Sequence, residues 1–269
     1  MRVLYIYLLI FVLLYIIYRR NHMFFDNNTK PKIAICFFGL CKSTNYTIDS
    51  INKCIFDPLI QFEYDIYVHT FYINDVYSNK RNNENNIVLN NDLYKLLNPI
   101  KYVIDDDKIR KSIDFLKYRS QGDPWDNNFE SLDNLILALY SLNQVTQLWK
   151  SSNKTYDYIM YIRPDVLFLQ PLDVSYFNQI NNNNIILPNF HEYPINDRFA
   201  IGTPNVMLKY GERYDNAYNY SLSKKLHAEE YLNYILTLNN IKIIKINFKF
   251  QRIRANGIID IHDKKLNNN

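Results

Sequence analysis

Several features that would place the chain in a familiar class are missing or scarce. Its three cysteines, Cys36, Cys41 and Cys54, include no CxxC pair and no Cys/His cluster at zinc spacing, which argues against a structural zinc site. An odd number also excludes a complete set of intramolecular disulfides, leaving either a Cys41–Cys54 bridge or free buried thiols. There are only five glycines and no G-x-x-x-x-G-K-S/T sequence, so a P-loop is excluded.

The chain also lacks a strong bias of charge. Its 31 basic and 27 acidic residues give a net charge of +4 and are spread along the sequence. That balance does not favour nucleic acid as a partner. With 269 residues, 48% of them hydrophobic, the chain can bury at least one full core, so disorder throughout is not expected.

An uninterrupted apolar run extends from Val3 to Tyr18 and is followed by two arginines. As a helix it would rise about 24 Å, short of the roughly 30 Å hydrocarbon core, so tyrosines and snorkelling arginines would complete the span. We therefore predict a single-pass transmembrane anchor over 1–20, in contact with the membrane through 3–18, and a polar stem over 21–31. A cleaved signal peptide is the alternative, although no small-x-small cleavage pattern follows the run.

The orientation of this anchor stays open. The arginines after the run favour a cytosolic position for the rest of the chain. N-x-S/T sequons would be usable only in a lumenal chain, and four are present, at Asn27, Asn45, Asn153 and Asn219. Because an asparagine-rich sequence produces sequons by chance, they weigh little.

Patterns typical of strands and helices alternate beyond the stem. Ile33–Phe38 is a compact apolar run that ends at Gly39, and helical spacing follows it. Further strands are predicted over Tyr64–Phe71 and Ile100–Ile104. The asparagine-rich stretch 74–91 has no apolar period and is predicted to be a mobile loop.

The most regular helical pattern covers Ser131–Trp149, with Asn128 or Ser131 available as a cap. It leads through a short loop into another apolar strand. Such βαβ units predict an α/β fold, with a largely parallel sheet flanked by helices on both faces.

That strand belongs to the stretch YDYIMYIRPDVLFLQPLD, 156–173, which places charges inside an apolar run. Pro164 cannot donate to a strand ladder, so the strand is predicted to stop near Ile162, to turn through Arg163 and Asp165, and to restart. In open α/β sheets, ligands lie beyond the carboxyl ends of the strands. There a carboxylate can bind a divalent cation and an arginine can bind phosphate. A local Arg–Asp salt bridge that closes the turn is the alternative.

Five pieces of the chain, in order, resemble a group of nucleotide-sugar-dependent glycosyltransferases with a GT-A-type, Rossmann-like fold, many of them viral or microbial. The pieces are IAICFFGLCKS, FESLDNLILALYSLNQVTQLW, YDYIMYIRPDVLF, NDRFAIGTP and HAEEYLNYIL, and the resemblance covers most of 32–250. It implies a glycosyltransferase domain over 32–262, before a polar tail over 263–269. It also implies a membrane-anchored hexosyl- or pentosyltransferase that uses a nucleotide sugar and a glycan or glycoprotein acceptor. We expect this domain to be lumenal, in a membrane of the endoplasmic reticulum/Golgi type or a host membrane.

In enzymes of this fold, a D-x-D motif at the end of a central strand binds Mn²⁺ or Mg²⁺ and, through the metal, the diphosphate of the donor. The resemblance puts Asp165 in the place of the last carboxylate, as the metal ligand, while Arg163 replaces the first. Negative charge on the departing diphosphate could be offset by a metal on Asp165, by Arg163 or by both, so the metal dependence stays open.

The resemblance implies further site residues. In the first turn, Gly39 would let the backbone approach the donor and Lys42 would reach phosphate, although a plain β–α turn is the alternative. Asp197 is expected to bind a sugar hydroxyl and Arg198 to anchor its loop; they could instead form a turn-closing pair.

Inverting transfer needs a carboxylate base near the acceptor hydroxyl. Asp197, Glu229 and Glu230 are the catalytic candidates, with one of the two glutamates ranked first as the base. Acids in a first helical turn are otherwise ordinary complements of the helix dipole. Trp125, in a polar loop, is the best candidate to stack on a sugar or a base.

Two other classes of function stay open. The missing first carboxylate is compatible with a catalytically degenerate relative that binds sugar or nucleotide without turnover. The chain could also be a membrane-tethered interaction protein, in which the charged turn and the acids form only salt bridges.

Overall fold

The structure is a computed structural model that describes residues 30–79 and 82–268, with only the backbone described at 267 and 268. The predicted anchor over 1–20 and nearly all of the predicted stem over 21–31 lie outside the described residues. Within the described part, no helix is both long enough and apolar enough to cross a membrane.

Eleven strands are present in the described part of the chain. In chain order they are β1 (Lys32–Phe38), β2 (Glu63–Phe71), β3 (Tyr77–Asn79), β4 (Glu84–Ile87), β5 (Lys101–Asp105), β6 (Tyr158–Ile162), β7 (Val166–Phe168), β8 (Asn184–Pro188), β9 (Phe199–Gly202), β10 (Lys242–Ile246) and β11 (Phe250–Arg252).

The α-helices of this part are α1 (Thr44–Ile51), α2 (Asp107–Ser112), α3 (Glu130–Lys150), α4 (Pro204–Gly211), α5 (Tyr214–Ser221) and α6 (Ala228–Leu238).

Seven of the strands form one mixed, largely parallel sheet in the order β10-β8-β9-β6-β1-β2-β5. At its centre β1 pairs in parallel with both β2 and β6, and β5 extends the parallel part beyond β2. β9 is antiparallel to β6 and to β8. The predicted α/β class with a largely parallel sheet is therefore confirmed.

Side chains of β1 alternate between the two faces of this sheet, as the pleat of a strand requires. Ile33, Ile35 and Phe37 pack into a core with α1 and the helical turns that follow it. Their neighbours in β1 pack into a second core with α3, α4 and α6. Helices thus flank both faces, as predicted.

The strand–turn–strand prediction at 162–166 is confirmed, because β6 ends at Ile162 and β7 begins at Val166. The long helix predicted over Ser131–Trp149 is also present as α3. Its predicted caps are wrong. Phe129 occupies the N-cap with a φ of 63°, and the side-chain oxygen of Asn127 accepts from the Ser131 backbone N–H at 3.2 Å.

The prediction of a mobile loop over 74–91 is wrong, since β3 and β4 form an antiparallel hairpin within it. The hairpin is held by Glu84, which is fully buried.

The predicted polar tail begins at Asp263. This residue is only 2% exposed. The cysteines are buried free thiols, so the Cys41–Cys54 bridge is absent.

Candidate functional site

A cleft of about 480 Å³ lies at the carboxyl ends of β1, β2 and β6. Eight of the nine residues singled out in the sequence line it, namely Gly39, Lys42, Trp125, Arg163, Asp165, Asp197, Arg198 and Glu229. The ninth, Glu230, is exposed and lies beside a separate depression shared with Lys225 and His227. The edge of the sheet thus assembles residues from distant parts of the chain.

The topology explains this convergence. Parallel strands β1 and β6 end at the same edge, which places the turns after Phe38 and Ile162 side by side. Because β9 is antiparallel to β6, it begins at this edge, so the Asp197–Arg198 pair that precedes it arrives there too. The amino terminus of α6 contributes Glu229.

Arg163 and Asp165 form a two-pronged ion pair across the turn. Arg163 Nε donates to one carboxylate oxygen at 2.9 Å, and Nη2 donates to the other at 2.6 Å. The side chain of Asp165 is 3% exposed and that of Arg163 is 33% exposed. Burial alone would raise the pKa of Asp165, but Arg163, Lys42 and Arg254 together hold it at about 2, so this carboxylate is charged at any ordinary pH.

The residues around Asp165 do not fit a divalent metal. Both of its oxygens accept from Arg163, and the charged groups that act on it most strongly are cations. Mg²⁺ and Mn²⁺ are bound through several oxygen ligands. In the described residues, no group of three or more His, Cys, Asp or Glu side chains is arranged to hold a metal ion.

Lys42 lies in the wall of the cleft but its ammonium group is already engaged. Nζ donates to both carboxylate oxygens of Glu84 at 2.8 Å and to the Tyr77 hydroxyl at 3.1 Å. These contacts use all three ammonium donors. Glu84 also accepts from the Ala255 backbone N–H at 2.6 Å. Lys42 and Glu84 therefore tie the first turn, the β3–β4 hairpin and the C-terminal segment together.

The sequence reasoning missed three arginines that line the cleft, Arg110, Arg252 and Arg254; the last two lie beside the turn at 163–165. Pairing of β11 with β7 sets Arg252 opposite Val166, and the Ile253 N–H donates to the Asp165 carbonyl at 2.8 Å. Alternating arginines in the sequence QRIRANG were the available signal. Without knowledge of the strand pairing, the sequence did not indicate that Arg252 and Arg254 lie close to the turn at 163–165.

Gly39 has a φ of +98°, in the left-handed region that glycine adopts readily. Its N–H donates to Ser141 Oγ at 2.7 Å. Ser141 Oγ also lies 2.7 Å from His69 Nδ1, and His69 Nε2 lies 3.1 Å from Asp105. Burial lowers the pKa of His69. The neutral ring therefore donates from Nε2 to Asp105 and accepts from the Ser141 hydroxyl, so this buried chain of hydrogen bonds holds the first turn.

We expect Ser141→Ala to lower the free energy of unfolding by about 1–3 kcal/mol, because it leaves the half-buried Gly39 N–H and the buried His69 Nδ1 without this partner. Urea denaturation would measure the loss. Ser112→Ala is the control: Ser112 is exposed and its hydroxyl bonds only within its own helix, so the expected change is within about 0.5 kcal/mol. Equal effects of the two changes would contradict this role of Ser141.

Asp197, Arg198 and Glu229 form a second charged group in the lining of the cleft. Arg198 Nη2 lies 3.5 Å from Glu229 and its Nε lies 3.9 Å from Asp197. His227 Nδ1 lies 3.4 Å from the other oxygen of Glu229. Burial, and next the charge of Asp197, raise the pKa of Glu229 to about 7. A carboxylate with such a pKa can accept a proton near neutral pH.

Aromatic rings lie beside this second charged group, next to His227. Trp125 packs against the His227 ring at 4.8 Å between centroids, and Tyr193 meets that ring edge-on at 5.1 Å. Tyr193 is 63% exposed. The aromatic pair gives this end of the cleft flat apolar surfaces next to the charged group, a combination suited to sugar rings.

No protein-family model matches the chain, and no curated protein sequence matches it.

Proposed function

We propose that the protein is a membrane-anchored glycosyltransferase with a GT-A-like fold that transfers a sugar from a nucleotide-sugar donor to a glycan or protein acceptor. The observation that carries the proposal is the convergence, in one cleft at the carboxyl edge of the sheet, of arginines and of a buried carboxylate whose pKa is raised. The apolar run at 3–18 is the proposed anchor, with the transferase domain on the lumenal side.

In the proposed reaction, the oxygen of an acceptor hydroxyl attacks the anomeric carbon of the donor sugar. The bond between that carbon and the diphosphate oxygen breaks, and its electron pair leaves with the nucleoside diphosphate. The hydroxyl proton goes to the Glu229 carboxylate. A base at the acceptor hydroxyl corresponds to inverting transfer.

The departing diphosphate gains negative charge in the transition state, so positive groups must already face it. Arg163 supplies fixed positive charge in the lining of the cleft. Asp197 and Trp125 are proposed to contact the sugar, Asp197 through a hydroxyl and Trp125 through the ring face. Arg198 orients both acids.

Donor hydrolysis and transfer test the proposal. We expect the full-length chain, purified in a mild detergent, to release nucleoside diphosphate from at least one member of a panel of nucleotide sugars, and to do so faster with a glycan acceptor. Coupled detection of UDP or GDP measures the release, and thermal melting with each nucleotide measures binding. No release from any donor, together with no melting shift with UDP or GDP, would exclude the proposed function.

A binding protein without turnover is the second candidate, favoured by the ion pair that occupies Asp165. It predicts a melting shift with a nucleotide or nucleotide sugar and no release of the nucleoside diphosphate. The same experiment therefore separates transfer from binding alone.

A further inference from the structure

Arg163 has hydrogen-bond donors that its partner does not use. Of the five N–H donors of a guanidinium, Nε and one on Nη2 point to Asp165. The remaining donors lie on the edge of the group away from that carboxylate. Since Arg163 lines the cleft and a third of its side chain is exposed, this edge is accessible to a ligand.

Arg252 repeats the two-pronged arrangement, and Arg254 has a single acidic partner. Arg252 donates to Asp263 through Nε at 2.9 Å and through Nη2 at 2.8 Å, and Nη2 also donates to Asp260 at 3.1 Å. Arg254 forms an ion pair with Asp260 through Nη2. Both aspartates are 2% exposed and do not line the cleft, whereas the arginines do. Both guanidinium groups therefore line the cleft while they pair with buried carboxylates outside its lining.

Pairing with a buried carboxylate fixes the position of each arginine, which favours recognition of a diphosphate. A guanidinium fork matches phosphate oxygens through paired hydrogen bonds, and a fork already held in position loses little entropy on binding. A metal at Asp165 would have to compete with Arg163 for the carboxylate oxygens and would face the positive charges of Arg163, Lys42 and Arg254.

We infer that Arg163, Arg252 and Arg254 bind the diphosphate of the nucleotide sugar directly, and that Asp165 is a positioning residue for Arg163 and not a ligand of a divalent cation. The inference rests on the proposed function, because it assigns a binding mode to the nucleotide-sugar donor.

Calorimetric titration of the full-length chain with UDP and with GDP, in EDTA and again in Mn²⁺ or Mg²⁺, tests the metal. We expect the dissociation constant of the nucleotide that binds to differ by less than about threefold between the conditions, well below the tenfold of a 1.4 kcal/mol effect. Binding that requires the metal would overturn the inference while leaving the proposed function intact. Absence of binding in every condition would overturn the proposed function itself.

A double-mutant cycle tests the role of Asp165. We expect Arg163→Gln to weaken nucleotide binding about 10- to 100-fold, the size of one or two charge-assisted hydrogen bonds, and Asp165→Asn to weaken it by a smaller factor. If Asp165 acts only through Arg163, adding Asp165→Asn to Arg163→Gln causes no further loss. Additive losses would overturn the positioning role.

The Arg119–Asp133 pair offers a matched control. Arg119 Nη2 contacts both oxygens of Asp133 at 3.0 and 2.8 Å, and neither residue lines the cleft. We expect Asp133→Asn to leave the dissociation constant unchanged, and thermal melting of all variants confirms folding. A loss with Asp133→Asn equal to that with Asp165→Asn would mean that any broken Arg–Asp pair has this effect, and would overturn the inference.

Discussion

Replacing Glu229 with glutamine is expected to lower the rate of glycosyl transfer by about 10²- to 10⁴-fold, the usual contribution of a positioned general base. Glutamine keeps the shape of the side chain but cannot accept the proton of the acceptor hydroxyl. Nucleotide binding should change little, because the proposed contacts to the diphosphate are made by Arg163, Arg252 and Arg254 and not by Glu229. Transfer kinetics and UDP or GDP titration measure the two effects separately.

The pH dependence gives this prediction a direction. The proposed base must be unprotonated, so transfer by the wild-type chain should fall as the pH is lowered through about 7, the pKa of Glu229. The residual activity of the Glu229→Gln variant should lack this step.

The contribution of Glu229 to the stability of the fold changes with pH in the opposite direction. Since the folded state raises this pKa above the ordinary value of 4.5, it binds more protons than the unfolded state in that window. The free energy of unfolding contributed by Glu229 therefore decreases as the pH rises from about 4.5 to 7.

Glu230 provides the comparison. It is adjacent in sequence and was an equal candidate for the base, yet it is exposed and outside the lining of the cleft. We expect Glu230→Gln to retain transfer activity. Loss of activity at Glu230 with retention at Glu229 would contradict the assignment of the base.

Glu84→Gln is expected to be the most destabilising of these changes, lowering the free energy of unfolding by about 3–5 kcal/mol, as when one partner of a buried ion pair is removed. Lys42 would keep its charge in a site where its side chain is only 6% exposed. For a domain of this size the loss corresponds to a melting temperature lower by about 10 °C. Calorimetry or circular dichroism melting measures it.

Two further variants identify the cause. Adding Lys42→Met should restore part of the lost stability, because the uncompensated buried charge is then removed while glutamine still accepts from Ala255. Glu63→Gln is the matched control, since its pair with Lys32 is exposed on both sides and should contribute about 0–1 kcal/mol. A Glu84→Gln variant that melts at the wild-type temperature would contradict the proposed role of this pair.

Local patterns predicted those parts of the fold whose cause is local. The apolar period of 131–149 predicted α3, and the missing N–H of Pro164 predicted that β6 stops at Ile162. The alternation of strands and helices predicted the sheet, and with it the edge at which the candidate residues meet. Binding of a charged ligand at this edge could be proposed because charged residues follow the apolar strands there.

Long-range partners could not be read in the same way. The hairpin in 74–91 forms because Glu84 pairs with Lys42 and Ala255, which lie 42 and 171 residues away, and no local pattern records such a contact. The resemblance to the D-x-D motif suggested Asp165 as a metal ligand, with an Arg–Asp salt bridge as the alternative. Only side-chain geometry could show that both carboxylate oxygens accept from Arg163.

The order of apolar and polar residues therefore determined the α/β class and the position of the turn at 163–165, while the resemblance of five short segments to glycosyltransferases pointed to most of the candidate residues in the cleft. Only the tertiary structure decided that Lys42 is engaged by Glu84 and that Arg252 and Arg254 join the site. It also decided that Glu229, and not Glu230, lines the cleft. The physical reason is that neighbouring residues on a helix point about 100° apart, so two adjacent glutamates are told apart only when the packing of α6 is known.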